Sequence, residues 1–358
     1  MTMKNNYEAV SLRPFSYLSP SVHTKVSMIL LVLLPQVLML FLTHSWNSLW
    51  ILLCSSAASF SVVGIECAFS RKKVFDWVFA LVRGLIIGLL IPSGYPLFPV
   101  FLITLCVLLV SEFFLGGFSH SWVNPVALTV AVCWILSTQL FPSFSLQMSD
   151  LQGRNAALAL IQNGTVPVIG LDPKITAFFN KTVFSLFGVS IPEGYVSLFW
   201  DSHSLIPAFR FNLLTLVASI FLISFDIVSA LIPSIYLLVY CLSVRFVAPL
   251  FYRGIVGQGD MLLALLTSGT LFCTIFLLQW YGTTPITVAG KVCYGILAGI
   301  VAFLVIGVGD SGAGSVFTVL VINVVVPFIH AVETLSEKHY LNAVLLPRVQ
   351  SFKDGQNA

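Results

Sequence analysis

Four ionisable side chains lie within long apolar stretches of this chain and are the residues best placed to do chemistry. They are Glu66, Arg83, Glu112 and Asp226. A charge near the centre of a bilayer costs about 2.5–3.5 kcal/mol, so each of these groups needs a partner or water. Residues of this kind typically line a proton or cation path or contact a polar cofactor. All four are therefore candidate ion-path residues.

Plainer explanations stay open for the three acids. Glu66 is close to the basic residues 71–73 and can neutralise them. Glu112 is near the end of its apolar stretch, and Asp226 adjoins a predicted helix end, where water is available. Arg83 lies deeper in its stretch, which makes snorkelling to the surface difficult. We expect a functional or intersubunit role for Arg83.

The composition places these charges in a membrane protein. The chain has 358 residues and a mean hydropathy of +0.99, and 9% of its residues are charged, whereas soluble domains carry about 25%. Apolar runs long enough to cross a bilayer recur from Val26 to Ile329. No hydrophilic stretch is long enough for a separate catalytic domain. A basic patch interleaved with aromatic residues is missing, so we expect no nucleic-acid partner.

Metal and hydrolytic chemistry find no support in the sequence. None of the seven cysteines belongs to a CxxC pair or to a Cys/His cluster with metal-ligand spacing. The six histidines make no zinc motif and no catalytic triad with their neighbours. We therefore expect no metal site and no catalytic residue of the hydrolase type.

The apolar runs fall into two blocks of five, which predicts an all-α integral membrane fold with about ten transmembrane helices. Two blocks with an odd number of spans have opposite topologies, so we expect two inverted five-helix repeats. The glycine pairs Gly84/Gly88 and Gly295/Gly299 predict close helix packing. The predicted divisions are an N-terminal segment 1–25, a first repeat 26–141, a connector 142–207, a second repeat 208–332 and a tail 333–358.

The positions of lysine and arginine predict the orientation. Basic residues precede the first span and follow the second at residues 71–73, so both sites belong on the cytoplasmic side. An even number of spans returns the C-terminus to that side and places the connector outside. Asn124-Pro125 and the segment 282–285 adjoin span ends. A broken helix there would offer backbone amides to an anion or a flavin edge, and a plain turn is an equal alternative.

Several motifs resemble one known family, and they follow its order along nearly the whole chain. Gly116-Gly117, followed by Asn124-Pro125-Val126-Ala127, resembles a GG…NP-A signature. Gly259-Asp260, followed by LLTSGTLF at 265–272, is similar to a GD…LLSGGTLF segment. Together with the segments around 19–35, 294–299 and 316–327, these motifs resemble the membrane proteins of the RnfD and NqrB family, with a length that suits the RnfD members.

The resemblance implies a membrane subunit of an Rnf-like ion-translocating oxidoreductase complex in a bacterial inner membrane. Such a complex couples electron transfer between ferredoxin and NAD(H) to Na⁺ or H⁺ transport, and the implied partners are its other membrane and peripheral subunits. The family carries flavin, either FMN joined to a threonine or a second, non-covalent flavin. On this basis the residues expected to contact a non-covalent flavin, riboflavin or FMN, are Asn124, Gly259, Asp260, Ser268 and Gly269.

The chain departs from the family pattern at the covalent flavin site. The segment that best matches the flavinylated motif begins at Gly153, and Ala156 stands where the threonine belongs. Alanine has no oxygen to esterify, so covalent FMN is not expected. Two further functions stay open: a stand-alone transporter or channel that reuses a related inverted-repeat fold, and a scaffold subunit without a redox role.

Overall fold

A computed structural model describes residues 20–70, 76–116, 121–141, 168–251, 256–257, 259–307 and 312–356. The first half holds five helices: α1 (Val22–Leu42), α2 (Trp46–Ser70), α3 (Trp77–Leu90), α4 (Leu97–Phe114) and α5 (Pro125–Leu136). The described part of the connector holds α6 (Asp172–Thr182) and α7 (Tyr195–Trp200). Their small size suits a surface layer over the longer helices.

The second half continues the all-helical pattern. Its helices are α8 (Asn212–Ser224), α9 (Leu231–Phe251), α10 (Met261–Thr267), α11 (Thr270–Phe276), α12 (Val288–Ala302) and α13 (Gly314–Gln356). Among the described residues, six helices are long and apolar enough to cross a membrane, and three more are shorter but apolar. The described residues contain no strand. The prediction of an all-α membrane protein is confirmed.

The same packing pattern occurs in both halves. In the first, α2 packs on α4, α4 on α5, and α1 on α3. In the second, α9 packs on α12, α12 on α13, and α8 on α11, while α1 contacts α8 and α5 contacts α13 across the halves. If α10 and α11 are counted as one interrupted helix, each of the three pairs named for the first half has a counterpart at the same positions in the second half. This arrangement is compatible with an internal repeat.

Close backbone contacts confirm the packing role of the glycine pairs. A Cβ added to Gly84 would lie 2.4 Å from the Cα of Ser56 on α2, and one on Gly88 would lie 2.8 Å from the Cα of Leu52. Gly299 of α12 is equally close to α9, because its added Cβ would lie 2.7 Å from the Cβ of Val239. Small residues allow such approach in membrane helices, where dispersion contacts drive association.

Contacts between turns divide the helix ends into two groups. At the connector end, the Ser93 amide after α3 donates to the Leu205 carbonyl at 2.9 Å, and Arg210 donates to Ser45 between α1 and α2 at 2.8 Å. At the opposite end, Gln279 exchanges two hydrogen bonds of 2.9 Å with the backbone of Ser229 between α8 and α9. Helices α1 and α3 therefore end on the side of the connector, and α8 and α11 end together on the other side.

Two features of the second half are not those of simple spans. The apolar run from Met261 to Trp280 is interrupted between α10 and α11 because Gly269 adopts a left-handed conformation with φ of 69°. The predicted tail from residue 333 is helical and continuous with the last span, since α13 runs without a break to Gln356. Residues 333–338 include glutamate, leucine and lysine, which favour helix even outside an apolar environment.

Candidate functional site

Asn124 joins the two halves of the molecule at the start of α5. Pro125 suits the first position of a helix, and the Asn124 Oδ1 accepts hydrogen bonds from the Val126 and Ala127 amides at 2.9 and 3.2 Å. The Asn124 Nδ2 donates to the carbonyl oxygen of Leu277 after α11, at 2.9 Å. Asn124 is fully buried. Its side chain therefore caps α5 and ties the first half to the second.

Gly259 and Asp260 form the entry to α10. A Cβ on Gly259 would lie 2.0 Å from the carbonyl oxygen of Val244 in α9, so only glycine fits there. The Asp260 Oδ1 accepts from the Leu263 amide at 3.0 Å, and its Oδ2 accepts from the Tyr195 hydroxyl of α7. Burial and the neighbouring carboxylate raise the pKa of Tyr195 above its usual value, so the phenol stays a donor. Asp260 thus attaches the connector to the bundle.

Ser268 and Gly269 form the break between α10 and α11. Ser268 is almost fully buried, and its hydroxyl donates to Thr270 Oγ1 at 3.0 Å. The positive φ of Gly269 suits glycine, and an added Cβ would lie 2.1 Å from the ring of Phe209. The break is therefore filled by Phe209, a residue of the connector.

Arg83 and Glu112, both expected on an ion path, are brought together by the packing of α3 near α4. The Arg83 Nη1 and the Glu112 Oε1 form an ion pair whose side chains are 2% and 7% exposed. A buried pair of this kind is held by mutual attraction in a medium of low polarity, and the loss of either partner leaves an uncompensated charge. The structure thus supplies the partner that the sequence required for each charge.

Four hydroxyl groups near these helices are buried without an internal hydrogen bond. Among the described residues, no partner is found for the hydroxyls of Ser56 and Ser59 on α2 or of Thr104 and Ser111 on α4. Ser56 faces α3, since its Oγ would lie 3.0 Å from a Cβ on Gly84. A buried polar group left unpaired costs about 1–3 kcal/mol, so the burial of these four hydroxyls requires an explanation.

The other two ion-path candidates lie on other elements. Glu66 is half-buried near the end of α2, seven residues beyond Ser59 and hence on a similar face of that helix. Asp226 is exposed in the turn between α8 and α9 with φ of 53°. This position matches the alternative of a carboxylate beside a helix end, because α8 ends at Ser224. Ala156 lies outside the described residues.

Sequence reasoning missed the ion pair that anchors the connector. Arg210 donates through Nε and Nη2 to both oxygens of Asp201 at 2.8 Å, and its Nη1 donates to Ser45 at 2.8 Å. Such a bidentate ion pair fixes the position of the guanidinium. The two residues are nine positions apart in a segment without helical periodicity, so no pattern in the sequence signals the pair.

Asp172 is a second missed residue, and it organises the connector. It is fully buried at the start of α6 and accepts hydrogen bonds from the Thr176 hydroxyl, the Gly194 amide and both the amide and hydroxyl of Ser197. Burial opposes the charged form, but the hydrogen bonds outweigh it and hold the pKa of Asp172 below its usual value. The sequence did contain one signal for this residue, because an acidic side chain at the start of a helix interacts favourably with the helix dipole.

Comparison with known proteins gives a consistent set of relatives. The model of the NQR2, RnfD, RnfE family matches residues 9–337. Component D of the Na(+)-translocating ferredoxin:NAD(+) oxidoreductase complex of Acetobacterium woodii is 24% identical over 292 residues, which cover 78% of this chain and 80% of that protein. Component D of the ion-translocating oxidoreductase complex of Sodalis glossinidius is 25% identical over 263 residues, 70% of this chain and 74% of that protein.

Proposed function

Because the chain belongs to the NQR2, RnfD, RnfE family, we propose that it is the RnfD-type membrane subunit of an ion-translocating oxidoreductase complex. In this proposal the complex couples electron transfer between ferredoxin and NAD(H) to the movement of Na⁺ or H⁺. The observation that carries the proposal is the family match over residues 9–337, which spans both halves of the chain and the connector. The partners are the other membrane and peripheral subunits, in a bacterial inner membrane with both termini of this chain cytoplasmic.

The five residues selected for a flavin from the sequence have most of their polar side-chain groups engaged within the chain. The amide groups of Asn124, both oxygens of Asp260 and the hydroxyl of Ser268 are engaged within the chain. The Cβ positions of Gly259 and Gly269 are occupied by neighbouring atoms. These residues therefore build the scaffold of the bundle, and no redox step is assigned to them.

We propose that the Arg83–Glu112 pair and the four buried hydroxyls form the polar element of the ion path. The pair lies on apolar helices, where a charged side chain is costly to bury, and charges that occur at such positions commonly mark ion pathways. The unpaired hydroxyls of Ser59 and Thr104 are groups that water or a hydrated ion would stabilise. Glu66 continues this face of α2 toward the opposite end from the connector.

The first test of the proposal is the composition of the purified assembly. The chain is tagged, extracted in a mild detergent and purified, and copurifying proteins are identified by mass spectrometry. We expect redox subunits in stoichiometric amounts and electron transfer that depends on a transmembrane ion gradient. Ion flux through the chain alone in liposomes, without redox partners, would instead favour the stand-alone transporter. Partners that carry no redox centre would favour the scaffold role.

Covalent flavin is tested separately on the same material. A denaturing gel is viewed under ultraviolet light, and the acid-released supernatant is analysed for flavin. Because Ala156 offers no oxygen for a phosphoester, we expect no fluorescence in the protein band. A fluorescent band would contradict that expectation. Flavin in the supernatant alone would favour a non-covalent site at residues other than the five named above.

A further inference from the structure

A polar pocket of about 370 Å³ opens at the connector end of the molecule, outside the candidate flavin residues and the Arg83–Glu112 pair. Three segments bound it: the turn between α1 and α2, Ser93 after α3, and the connector from His203 to Arg210. Hydroxyl, amide, imidazole and guanidinium groups dominate its lining. Each of these groups can donate a hydrogen bond, and their convergence is suited to a ligand that accepts hydrogen bonds.

The N-terminus of α2 lines this pocket, and two of its first amides have no partner among the described residues. A serine before a helix ordinarily accepts a hydrogen bond from one of the first amides. Here the Ser45 Oγ instead accepts from the Arg210 Nη1 at 2.8 Å. Among the described residues, the amides of Asn47 and Ser48 have no hydrogen-bond partner. A helix of 25 residues thus directs its positive end toward the pocket.

Two side chains add donors beside those amides. Ser48 is 3% exposed and lines the pocket, and no partner for its hydroxyl is found in the described part of the chain. Arg210 also lines the pocket, and its guanidinium is held by Asp201, which is not among the lining residues. A positively charged residue therefore belongs to the pocket wall beside the α2 amides.

From these contacts we infer that the pocket is a binding site for a phosphate group. A guanidinium, a helix N-terminus and serine hydroxyls together match the geometry of phosphate oxygens. His44 and His203 line the same pocket, and both have φ of 53°, a strained conformation that surrounding contacts maintain. This inference does not depend on the proposed redox function.

The surroundings favour a phospholipid headgroup as the source of the phosphate. Trp46 lines the pocket and is half exposed, and Trp50 on the next turn is exposed as well. Tryptophan is enriched where a membrane meets water. The adjoining end of α1 also exposes Phe41 and Leu42, an apolar surface against which acyl chains can lie. A free phosphate would use the same donors without this surface.

The test compares Asn47→Asp with a control of equal charge. An aspartate at the start of a helix is favourable for the fold, but its carboxylate repels an anion in the pocket. Lys181→Gln changes the net charge by the same amount at an exposed site outside the pocket. The full-length chain is delipidated in detergent. Native mass spectrometry then measures binding of phosphatidylglycerol, and equilibrium dialysis measures binding of inorganic phosphate.

We expect Asn47→Asp to weaken binding about tenfold and Lys181→Gln to leave it unchanged. Ser48→Ala should weaken it by a smaller factor. Binding of phosphatidylglycerol that inorganic phosphate does not displace would identify a lipid site. Binding of inorganic phosphate with the same dependence on Asn47 would identify a free phosphate site. The inference is overturned if the unmodified chain binds neither probe, or if the two charge variants behave alike.

Discussion

A buried charge in an apolar helix is stable only together with its partner, and Arg83 with Glu112 is the example in this chain. The two residues are 29 positions apart and lie on different helices. The alternatives considered for Glu112 included a place at the membrane interface, yet its side chain is 7% exposed and paired. The residue type therefore indicated the need for a partner, and packing selected which one.

The proposed ion path makes Arg83 more important for coupling than for assembly. We predict that Arg83→Ala lowers ion-coupled electron transfer by a larger factor than it lowers the yield of assembled complex. The physical reason is that the positive charge of the guanidinium acts strongly on the Glu112 carboxylate in an interior with little water. Coupled transport in proteoliposomes and subunit recovery measure the two quantities. Equal losses in both would make Arg83 a structural residue only.

The free energies of unfolding of single and double variants test whether Arg83 and Glu112 are coupled. Glu112→Gln leaves the guanidinium without its counter-charge, so we expect it to destabilise the fold by about 3–5 kcal/mol. The double variant Arg83→Gln/Glu112→Gln removes both charges and should lose less. Thermal unfolding of the detergent-solubilised chain is the measurement. If the double variant is as unstable as the sum of the two single variants, the pair is not coupled.

Asp172 is expected to make the connector sensitive to acid. Because hydrogen bonds hold the pKa of Asp172 below its usual value of about 3.9, its stabilisation is complete above that pH and is lost as the pH falls through the lower, folded pKa. Asp172→Asn should remove about 1.5–3 kcal/mol at neutral pH. Limited proteolysis of the connector between neutral and acidic pH reports the change. Asp226→Asn, at an exposed carboxylate, should leave the profile unaltered.

At the scale of elements, the break between α10 and α11 is the main departure from regular helix. It requires a left-handed residue at Gly269 and leaves no room for a side chain beside Phe209. The interruption places the Ser268 hydroxyl and the start of α11 inside the bundle. Broken helices of this kind often border binding sites in transport proteins, although here the space is filled by the connector.

We predict that Gly269→Ala destabilises the protein by more than the roughly 1–2 kcal/mol of the backbone strain, because the new Cβ also meets the Phe209 ring. The double variant Gly269→Ala/Phe209→Leu should recover part of the loss. Gly94→Ala is the matched control, since nothing lies within 4 Å of its Cβ position. Thermal unfolding in detergent ranks the three variants. Equal effects at Gly94 and Gly269 would contradict the packing argument.

For the whole molecule, the contacts between turns predict which helix ends share a side of the membrane. Ser93 lies with the connector, whereas Ser229 lies at the opposite end. With basic residues on the cytoplasmic side, alkaline phosphatase fused after Ser93 should be active and the same enzyme fused after Ser229 inactive. Activity at both positions would contradict the placement of these two turns on opposite sides. Activity at Ser229 alone would invert the orientation.

The sequence by itself determined the class of protein, an all-α membrane protein. An apolar run in a bilayer has to satisfy its backbone polar groups internally, so it forms a helix whatever surrounds it. The family resemblance was also readable from local motifs, because each of them occupies a short stretch of chain. These features depend on residues that are close together in sequence.

Tertiary structure decided which polar groups meet. The pairing of Arg83 with Glu112, the filling of the α10–α11 break by Phe209, and the Arg210 contact beside the α2 amides all join segments distant in sequence. Each depends on how helices pack, and packing in a membrane is set by shape and by small residues rather than by hydrophobic pattern. The motif residues Asn124, Gly259 and Gly269 consequently proved to hold the fold together.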